Sequence, residues 1–338
     1  MGVVAGANGS VSRKPSLKAL SDVVAGDLTA VNALIVERMQ SPVALIPQLA
    51  SHVIAAGGKR LRPMLTLATS RLAGYDGSRH LRLAACVEFI HTATLLHDDV
   101  VDASDLRRGH ASANTLWGNK SSVLVGDFLF SRAFELMVED GSPAVLAILS
   151  RASSIIAEGE VAQLVTTGDV ETTEEAYMAV IRAKTAQLFA AACRIGAVVA
   201  DRPADDEAAL EAFGMNLGIA FQLVDDVLDY SAVQATLGKT IGDDFREGKM
   251  TLPVVLALAR ASDEERTFWQ RTIGDMEQTP ADLDRAIGIV RARGALDDTL
   301  ARARDFARAA TAALDRFDDG PEKRALVDVV EFCIGRTY

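Results

Sequence analysis

Apolar residues recur every three or four positions along nearly the whole chain. The first clear series consists of Leu20, Val24, Leu28, Val31 and Leu34. Such spacing places apolar side chains on one face of a helix, whereas a half-buried strand alternates, and no segment alternates convincingly. The series predict helices at residues 16–40, 42–56, 63–73, 78–103, 114–139, 143–167, 173–200, 205–231, 251–262, 280–293, 295–316 and 321–335.

Two predicted helices lack a polar face through most of their length. They are SRHLRLAACVEFIHTATLLHDDVVDA at 78–103 and EAFGMNLGIAFQLVDDVLDY at 211–230. Other helices have to surround helices of this kind, so we expect both at the centre of one bundle. The composition agrees, because 49% of the residues are hydrophobic, only 5% are aromatic and only 9 are proline. We therefore predict an all-α fold in which residues 16–338 form a single large helical bundle after a flexible tail at 1–15.

The charge and the cysteines narrow the classes of function. A formal net charge of -11 disfavours binding to nucleic acid or to an anionic membrane surface. The sequence has no run of about 18 apolar residues that would span a membrane. Cys86, Cys193 and Cys333 lie far apart in apolar stretches, which indicates neither a disulfide framework nor a metal site. We expect a soluble, cytoplasmic protein.

The two central helices end in the same acidic pattern. HDDVVD contains Asp98, Asp99 and Asp102, and VDDVLD contains Asp225, Asp226 and Asp229. Because residues i and i+4 share a helix face, the first and last aspartates of each motif are expected to point the same way. One such motif alone is more often a solvated helix end than a binding site. Two of them, each after an apolar run, predict that both line one cavity.

Clustered carboxylates imply a bound cation. Six carboxylates around one cavity would repel one another and raise one another's pKa values unless cations neutralised them. A site with oxygen ligands and no cysteine or histidine cluster favours a hard metal. Mg²⁺ typically binds through one or two carboxylates, several waters and substrate phosphates. The motifs therefore predict Mg²⁺ as the cofactor and a diphosphate as the substrate.

Basic residues that suit a phosphate group stand in three segments. They are Lys59, Arg60 and Arg62 in GGKRLRP, Arg107 and Arg108 in DLRRG, and Lys239 and Lys249 in GKTIGDDFREGKMTLP. GGKRLRP opens a predicted helix, where backbone N–H groups also favour an anion. Taken alone it is more often a basic loop, but beside the aspartates a phosphate-binding role gains weight. The third segment is glycine-rich and charged, as in a lid that closes over phosphates.

Further polar residues interrupt the apolar helices. His91 lies two helical turns before Asp98 and therefore on roughly the same face, where a structural and a binding role are equally open. Lys184, Thr185 and Gln222 need polar partners if they are buried.

These motifs resemble those of the trans-isoprenyl diphosphate synthases, with their two DDxxD motifs. The matching segments, between about residues 50 and 255, are FIHTATLLHDDVVDASDLRRG, GDFLFSRAF, AEGEVAQL, KTAQLF, FQLVDDVLDY and GKTIGDDFREGKMTLP. They look most like the octaprenyl and decaprenyl diphosphate synthases that make quinone side chains. The resemblance implies a homodimeric, Mg²⁺-dependent prenyltransferase with an isoprenoid synthase-type helical bundle around a central apolar cavity. It also implies isopentenyl diphosphate and an allylic prenyl diphosphate, farnesyl diphosphate above all, as substrates.

The resemblance assigns roles to individual residues of this chain. The residues that match metal ligands are Asp98 and Asp102 for two Mg²⁺ ions and Asp225 for a third, with Asp99, Asp226 and Asp229 in support. Those that match the isopentenyl diphosphate site are Lys59, Arg62, His91 and Arg108. Those that match the allylic diphosphate site are Arg107, Lys184, Thr185, Gln222 and Lys239. The expected catalytic residues are Asp98, Asp102, Asp225, Lys184 and Arg107.

The length of the product also has a signal in the sequence. Ala93 and Thr94 precede Asp98 by five and four residues, which places them one turn deeper along the expected path of the growing chain. Family members with short products carry bulky aromatic residues there, so the resemblance implies a long polyprenyl product. Plain helix packing in an alanine-rich chain is the alternative.

Three other functions remain as alternatives. A class I terpene cyclase shares the bundle and one aspartate-rich motif, but it has no need of a second diphosphate pocket. A non-catalytic regulatory subunit would not need intact aspartates in both motifs. A purely structural helical bundle leaves the clustered carboxylates unexplained.

Overall fold

The computed structural model describes residues 16–55, 58–107, 109–231 and 241–336. The α-helices in these ranges are α1 (Lys18–Val23), α2 (Ala25–Arg38), α3 (Leu45–Ala55), α4 (Leu61–Leu72), α5 (Arg79–Val101), α6 (Ala113–Trp117), α7 (Asn119–Asp140), α8 (Pro143–Thr166), α9 (Glu174–Ile181), α10 (Gln187–Val199), α11 (Ala204–Asp229), α12 (Asp243–Arg246), α13 (Leu252–Leu258), α14 (Asp263–Trp269), α15 (Asp282–Ala292), α16 (Ala295–Ala313) and α17 (Pro321–Gly335). π-helical turns follow α9 at Arg182–Ala186 and α14 at Gln270–Gly274. The tail predicted at 1–15 lies outside the described residues.

The all-α prediction is confirmed, although two predicted helices are broken. The segment 16–40 divides at Val24, whose φ of -109° and ψ of 14° leave the helical range, into α1 and α2. The segment 114–139 divides at Gly118 into α6 and α7. Gly118 has φ of 80° and ψ of 157°, a conformation that glycine tolerates far better than other residues do.

The periodicity also misses some short elements. The expectation that the chain has no strand is wrong at β1 (Leu106–Arg107) and β2 (His110–Ala111), which pair antiparallel directly after α5. The helices α12 and α14 have only 4 and 7 residues, too few for a periodic pattern to be visible. The N-terminus of α14 is marked instead by a capping box between Ser262 and Glu265.

The two helices predicted to be central do lie in the interior. Helix α5 packs against α2, α4, α7 and α10, while α11 packs against α10, α13, α16 and α17. Helix α10 therefore stands between them, and nearly all its side chains are buried. None of the helices in the described ranges is long and apolar enough to cross a lipid bilayer.

Close packing positions the polar ends of these elements. The turn Arg182–Ala186 contacts both α8 and α11. On α8, a Cβ added to Gly159 would lie 2.7 Å from the backbone nitrogen of Lys184, so a larger residue would push the two segments apart. The glycine thus brings the neighbouring Glu160 alongside Lys184.

Candidate functional site

The first aspartate motif ends α5, and each of its carboxylates has a basic partner. Asp98 lies 3.8 Å from the Nζ of Lys184, and Asp102 accepts a hydrogen bond of 2.9 Å from the Nζ of Lys249. Asp99 is buried and forms an ion pair with Arg107, whose Nε donates over 2.8 Å. Asp98 and Asp102 therefore form a pair that two lysines neutralise, while Asp99 holds Arg107.

The second motif ends α11, and its three carboxylates diverge. The Asp225 side chain is 51% exposed and lies 3.6 Å from a guanidinium nitrogen of Arg336 near the C-terminus. Asp226 is buried and accepts hydrogen bonds from the hydroxyl of Tyr177 and, over 2.8 Å, from the amide of Gln222.

Asp229 is also buried, and it binds the backbone that follows the motif. It accepts hydrogen bonds from the backbone N–H groups of Gly242, Asp243 and Asp244 at 3.1, 3.3 and 3.1 Å. It therefore caps the short helix α12. Asp225 and Asp229 therefore have different partners, Arg336 for Asp225 and the backbone of α12 for Asp229.

Two lysines link the first motif to a cavity that Asp226 of the second motif lines. Lys249 follows the second motif in sequence yet binds Asp102 of the first, and its Nζ also lies 2.5 Å from Glu247. Lys184 bridges Glu160, at 2.6 Å, and Asp98. Both lysines border a cavity of about 120 Å³. Its other lining residues are Gln163, Thr166, Thr167, Tyr177, Val180, Ile181, Thr185, Gln222, Asp226, Met250 and Thr251.

The hydrogen-bond chain at the cavity fixes the orientation of one amide. Because Nε2 of Gln222 donates to Asp226, its Oε1 faces Thr185, whose hydroxyl donates to it over 3.0 Å. The side chains of Lys184 and Thr185 are partly exposed at the cavity, although the flanking helices are apolar. The polar groups at 184, 185 and 222, which the sequence singles out, are thus brought together and partnered.

Burial and neighbouring negative charges raise the pKa values of several of these carboxyl groups. Burial raises the pKa of Asp98, against the opposing effect of Lys184. Burial, reinforced by Asp98, raises the pKa of Glu160 to about 7. Burial likewise raises the pKa of Asp226 to about 7 and that of Asp229 to about 6. Burial lowers the pKa of Lys249, but Asp102, Asp244 and Glu247 outweigh this effect and raise it. Burial is therefore the main cause of the raised pKa values of these carboxyl groups, and neighbouring carboxylates add to it.

The raised pKa of Glu160 predicts a pH dependence of stability. Burial raises this pKa from its ordinary 4.5 to about 7, so the metal-free folded protein binds an extra proton in that range. The resulting stabilisation is complete below pH 4.5 and is lost as pH rises through about 7. Between about pH 5.5 and about pH 8, urea denaturation should show the free energy of unfolding falling by about 2 kcal/mol more for the wild type than for Glu160→Gln. Equal pH dependence in the two proteins would contradict the assignment.

The residues present fit Mg²⁺ that arrives with a phosphate ligand. Within the described ranges, no three acidic, histidine or cysteine side chains form a ready cluster for a metal. The ammonium groups of Lys184 and Lys249 lie instead beside Asp98 and Asp102. Mg²⁺ needs only one or two protein carboxylates when waters and substrate phosphates complete its shell. The oxygen-only donor set therefore suits this metal.

The basic residues of GGKRLRP lie at the start of α4. The guanidinium of Arg62 contacts Nε2 of His91 at 3.1 Å and stacks 4.2 Å from the ring centroid of Phe189. The Nζ of Lys59 lies 4.8 Å from the centroid of Phe332. The structure thus brings Arg62 and His91 together as a second polar group, while Arg108 and Lys239 lie outside the described residues.

The two residues predicted to control product length lie on α5. Ala93 is completely buried and Thr94 is partly buried. The hydroxyl of Thr94 donates to the carbonyl of His91 over 2.9 Å. Their role in product length stays a prediction.

Sequence reasoning missed three residues of this region. Glu160 lies in AEGEVAQL, Tyr177 stands seven residues before Lys184, and Arg336 is near the chain end. A spacing of seven residues is about two helical turns, which was the available signal for Tyr177. Arg336 had no signal, because its contact with Asp225 joins distant parts of the sequence.

The chain resembles known proteins over most of its length. The polyprenyl synthetase family profile matches residues 43–290. The octaprenyl diphosphate synthase of Escherichia coli (strain K12) is 44% identical over 321 residues, which cover 95% of this chain and 99% of that protein.

Two solved structures share the fold over nearly their whole length. A polyprenyl synthase from Caulobacter crescentus CB15, complexed with calcium and isoprenyl diphosphate, is 54% identical, with a TM-score of 0.92 over 96% of this chain and 98% of the other. A decaprenyl diphosphate synthase from Rhodobacter capsulatus is 50% identical, with a TM-score of 0.92 over 96% of this chain and 100% of the other. The chain described here belongs to the polyprenyl synthetase family.

Proposed function

We propose that this chain is an all-trans long-chain polyprenyl diphosphate synthase. It condenses isopentenyl diphosphate head to tail with an allylic prenyl diphosphate, farnesyl diphosphate above all, and depends on Mg²⁺. The observation that carries the proposal is the link between the two aspartate motifs. Lys249 follows the second motif and binds Asp102 of the first, beside a cavity that Lys184 and Gln222 also line. The chain is 44% identical to an octaprenyl diphosphate synthase, and this supports a long product.

The residues at the two motifs divide the work of ionising the allylic substrate. Asp98, Asp102 and Asp225 would hold the metal, which when bound neutralises charge on the departing diphosphate. Lys184, Arg107 and Lys239 would bind the same diphosphate as cations. The supporting aspartates hold other groups in place: Asp99 binds Arg107, and Asp226 orients Gln222.

The second substrate would bind at the start of α4. Lys59, Arg62, His91 and Arg108 are the proposed ligands of isopentenyl diphosphate, whose double bond attacks the allylic carbocation. A cavity that excludes water protects that cation from hydrolysis. The adduct then loses a proton to the departing diphosphate, which regenerates an allylic diphosphate that is one unit longer.

The proposal also covers the cellular location of the enzyme and the use of its product. We propose a cytoplasmic protein that supplies the side chain of a quinone such as ubiquinone. The described cysteines, Cys86, Cys193 and Cys333, are buried and unpaired, as is usual in a reducing compartment. Residues 16–338 would form one domain, since Phe306 and Ile334 pack against both clusters of buried apolar residues.

We also propose that two copies of the chain associate through α7 and α8. Apolar side chains on these helices that are between 59% and 74% exposed are Leu124, Val138, Val161, Leu164 and Val165. Exposed apolar side chains gathered on two adjacent helices mark an interaction surface. Association of two copies through the same face would cover this surface on both.

A charge on this face should separate the dimer. Val165 is 74% exposed, and in Val165→Asp each carboxylate would lose water at the interface without a partner. We expect the dissociation constant from sedimentation equilibrium to rise by about 100-fold or more. Val36→Asp is the matched control, because Val36 is 52% exposed but lies on α2. A monomeric wild type, or equal effects of the two variants, would contradict the proposed dimer.

The enzymatic proposal is tested by turnover of the purified chain alone. We expect labelled isopentenyl diphosphate to be consumed only with Mg²⁺ and an allylic primer, and EDTA to stop the reaction. Release of diphosphate without isopentenyl diphosphate would point to a terpene cyclase. No turnover without a partner protein would point to a non-catalytic subunit.

A further inference from the structure

The middle basic residue of GGKRLRP has a different environment from its neighbours. Arg60 forms an ion pair with Glu88 of α5, and the two side chains are only 14% and 5% exposed. A buried carboxylate needs a cationic partner, and removal of one partner leaves a buried charge uncompensated. Glu88 therefore engages the guanidinium of Arg60 in the interior.

The backbone at Arg60 is held in an unusual conformation. Arg60 precedes the first residue of α4 with φ of 49° and ψ of 32°, in the left-handed region that favours glycine. Its carbonyl accepts the hydrogen bond of 3.0 Å from the N–H of Met64 that starts the helix. A residue other than glycine keeps this conformation only where its surroundings impose it. The ion pair with Glu88 is such a constraint, and it fixes where α4 begins.

A second contact lies next to this ion pair. Arg62 meets His91 at 3.1 Å, and His91 stands three residues after Glu88 on α5. Residues at i and i+3 share a helix face. The contacts Arg60–Glu88 and Arg62–His91 therefore join the start of α4 to one face of α5 side by side. A shift of the Arg60–Glu88 pair would therefore displace Arg62 from His91.

We infer that the Arg60–Glu88 ion pair positions the isopentenyl diphosphate site. It holds the start of α4 against α5 so that Arg62 stays beside His91, and Arg60 itself does not bind substrate. The inference rests on the proposed function, in which Lys59, Arg62 and His91 bind this diphosphate. It distinguishes the two substrates, because the ion pair supports one diphosphate site and the aspartate motifs form the other.

Glu88→Gln tests the inference by steady-state kinetics on the full-length protein. We expect the KM for isopentenyl diphosphate to rise by about tenfold, because a small displacement of Arg62 weakens its contact with the phosphate. The KM for the allylic diphosphate should stay within about twofold of the wild-type value. Arg60→Met breaks the pair from the other side and should give the same selective rise. If Glu88→Gln does not fold, Arg60→Met alone tests the positioning role of the ion pair.

Asp140→Asn is the matched control for a merely structural loss. Asp140 ends α7 and has a fully buried side chain, which pairs at 2.8 Å with Arg79, the first residue of α5. This variant should lower the melting temperature as Glu88→Gln does, but leave both KM values unchanged. If Glu88→Gln and Arg60→Met leave the KM for isopentenyl diphosphate unchanged, or raise both KM values equally, the inference is overturned.

A different variant, Arg62→Ala, tests the proposed substrate site itself. Arg62→Ala should raise the KM for isopentenyl diphosphate whether or not the ion pair positions the site. If Arg62→Ala has no such effect, the proposed substrate site is wrong. If Arg62→Ala has the effect while Glu88→Gln and Arg60→Met do not, the site stands and only the positioning role falls.

Discussion

Asp98→Ala is expected to reduce the rate of isopentenyl diphosphate incorporation by about 10³-fold. The Asp98 side chain is only 17% exposed and lies beside Lys184, which lines the cavity. Its loss removes a proposed metal ligand and leaves Lys184 with Glu160 as its partner at 2.6 Å. The rate should be measured at saturating Mg²⁺, and circular dichroism should show unchanged helicity.

Two further variants separate charge from packing at this position. Asp98→Asn keeps the size of the side chain but removes the negative charge, so it should lose nearly as much activity as Asp98→Ala. Asp315→Asn removes an exposed carboxylate beyond the end of α16 and should leave the rate unchanged. Near-normal activity of Asp98→Ala would rule out Asp98 as a metal ligand.

Ala93→Phe is expected to change the product from a long polyprenyl chain to short ones. Ala93 is completely buried on α5, five residues before Asp98. A phenyl ring there would fill the proposed path of the growing chain about one helical turn beyond the reacting carbon. Dephosphorylated products, separated by chain length, should end after the first few additions.

The main risk of this substitution is overpacking, which costs about 1–3 kcal/mol in a filled core. Continued consumption of isopentenyl diphosphate shows that the variant is folded. Ala93→Ser adds a single oxygen atom and should keep the long product. A full-length product from active Ala93→Phe would show that the growing chain does not pass this residue.

The long helices and the aspartate motifs could be predicted because their signals are local. A helical face repeats within four residues, and the placement of HDDVVD and VDDVLD at the ends of apolar helices is visible in the sequence. Short elements carried no such signal. The break at Gly118 and the short helix α12 depend on single residues or on tertiary contacts.

The partners of the site residues could not be predicted, because most are distant in sequence. Lys249 and Asp102 are 147 residues apart, and Tyr177 and Asp226 are 49 apart. The sequence also gave no reason to separate the roles of the aspartates within a motif. In the structure Asp229 caps α12, whereas Asp225 remains half exposed beside Arg336.

Product analysis tests the central claim most directly. The purified chain would be incubated with Mg²⁺, farnesyl diphosphate and labelled isopentenyl diphosphate, and the dephosphorylated products separated by chain length. The account predicts one dominant long all-trans polyprenol that disappears when EDTA is added. Cyclic or short hydrocarbons with released diphosphate, or a product that forms equally well in EDTA, would contradict it.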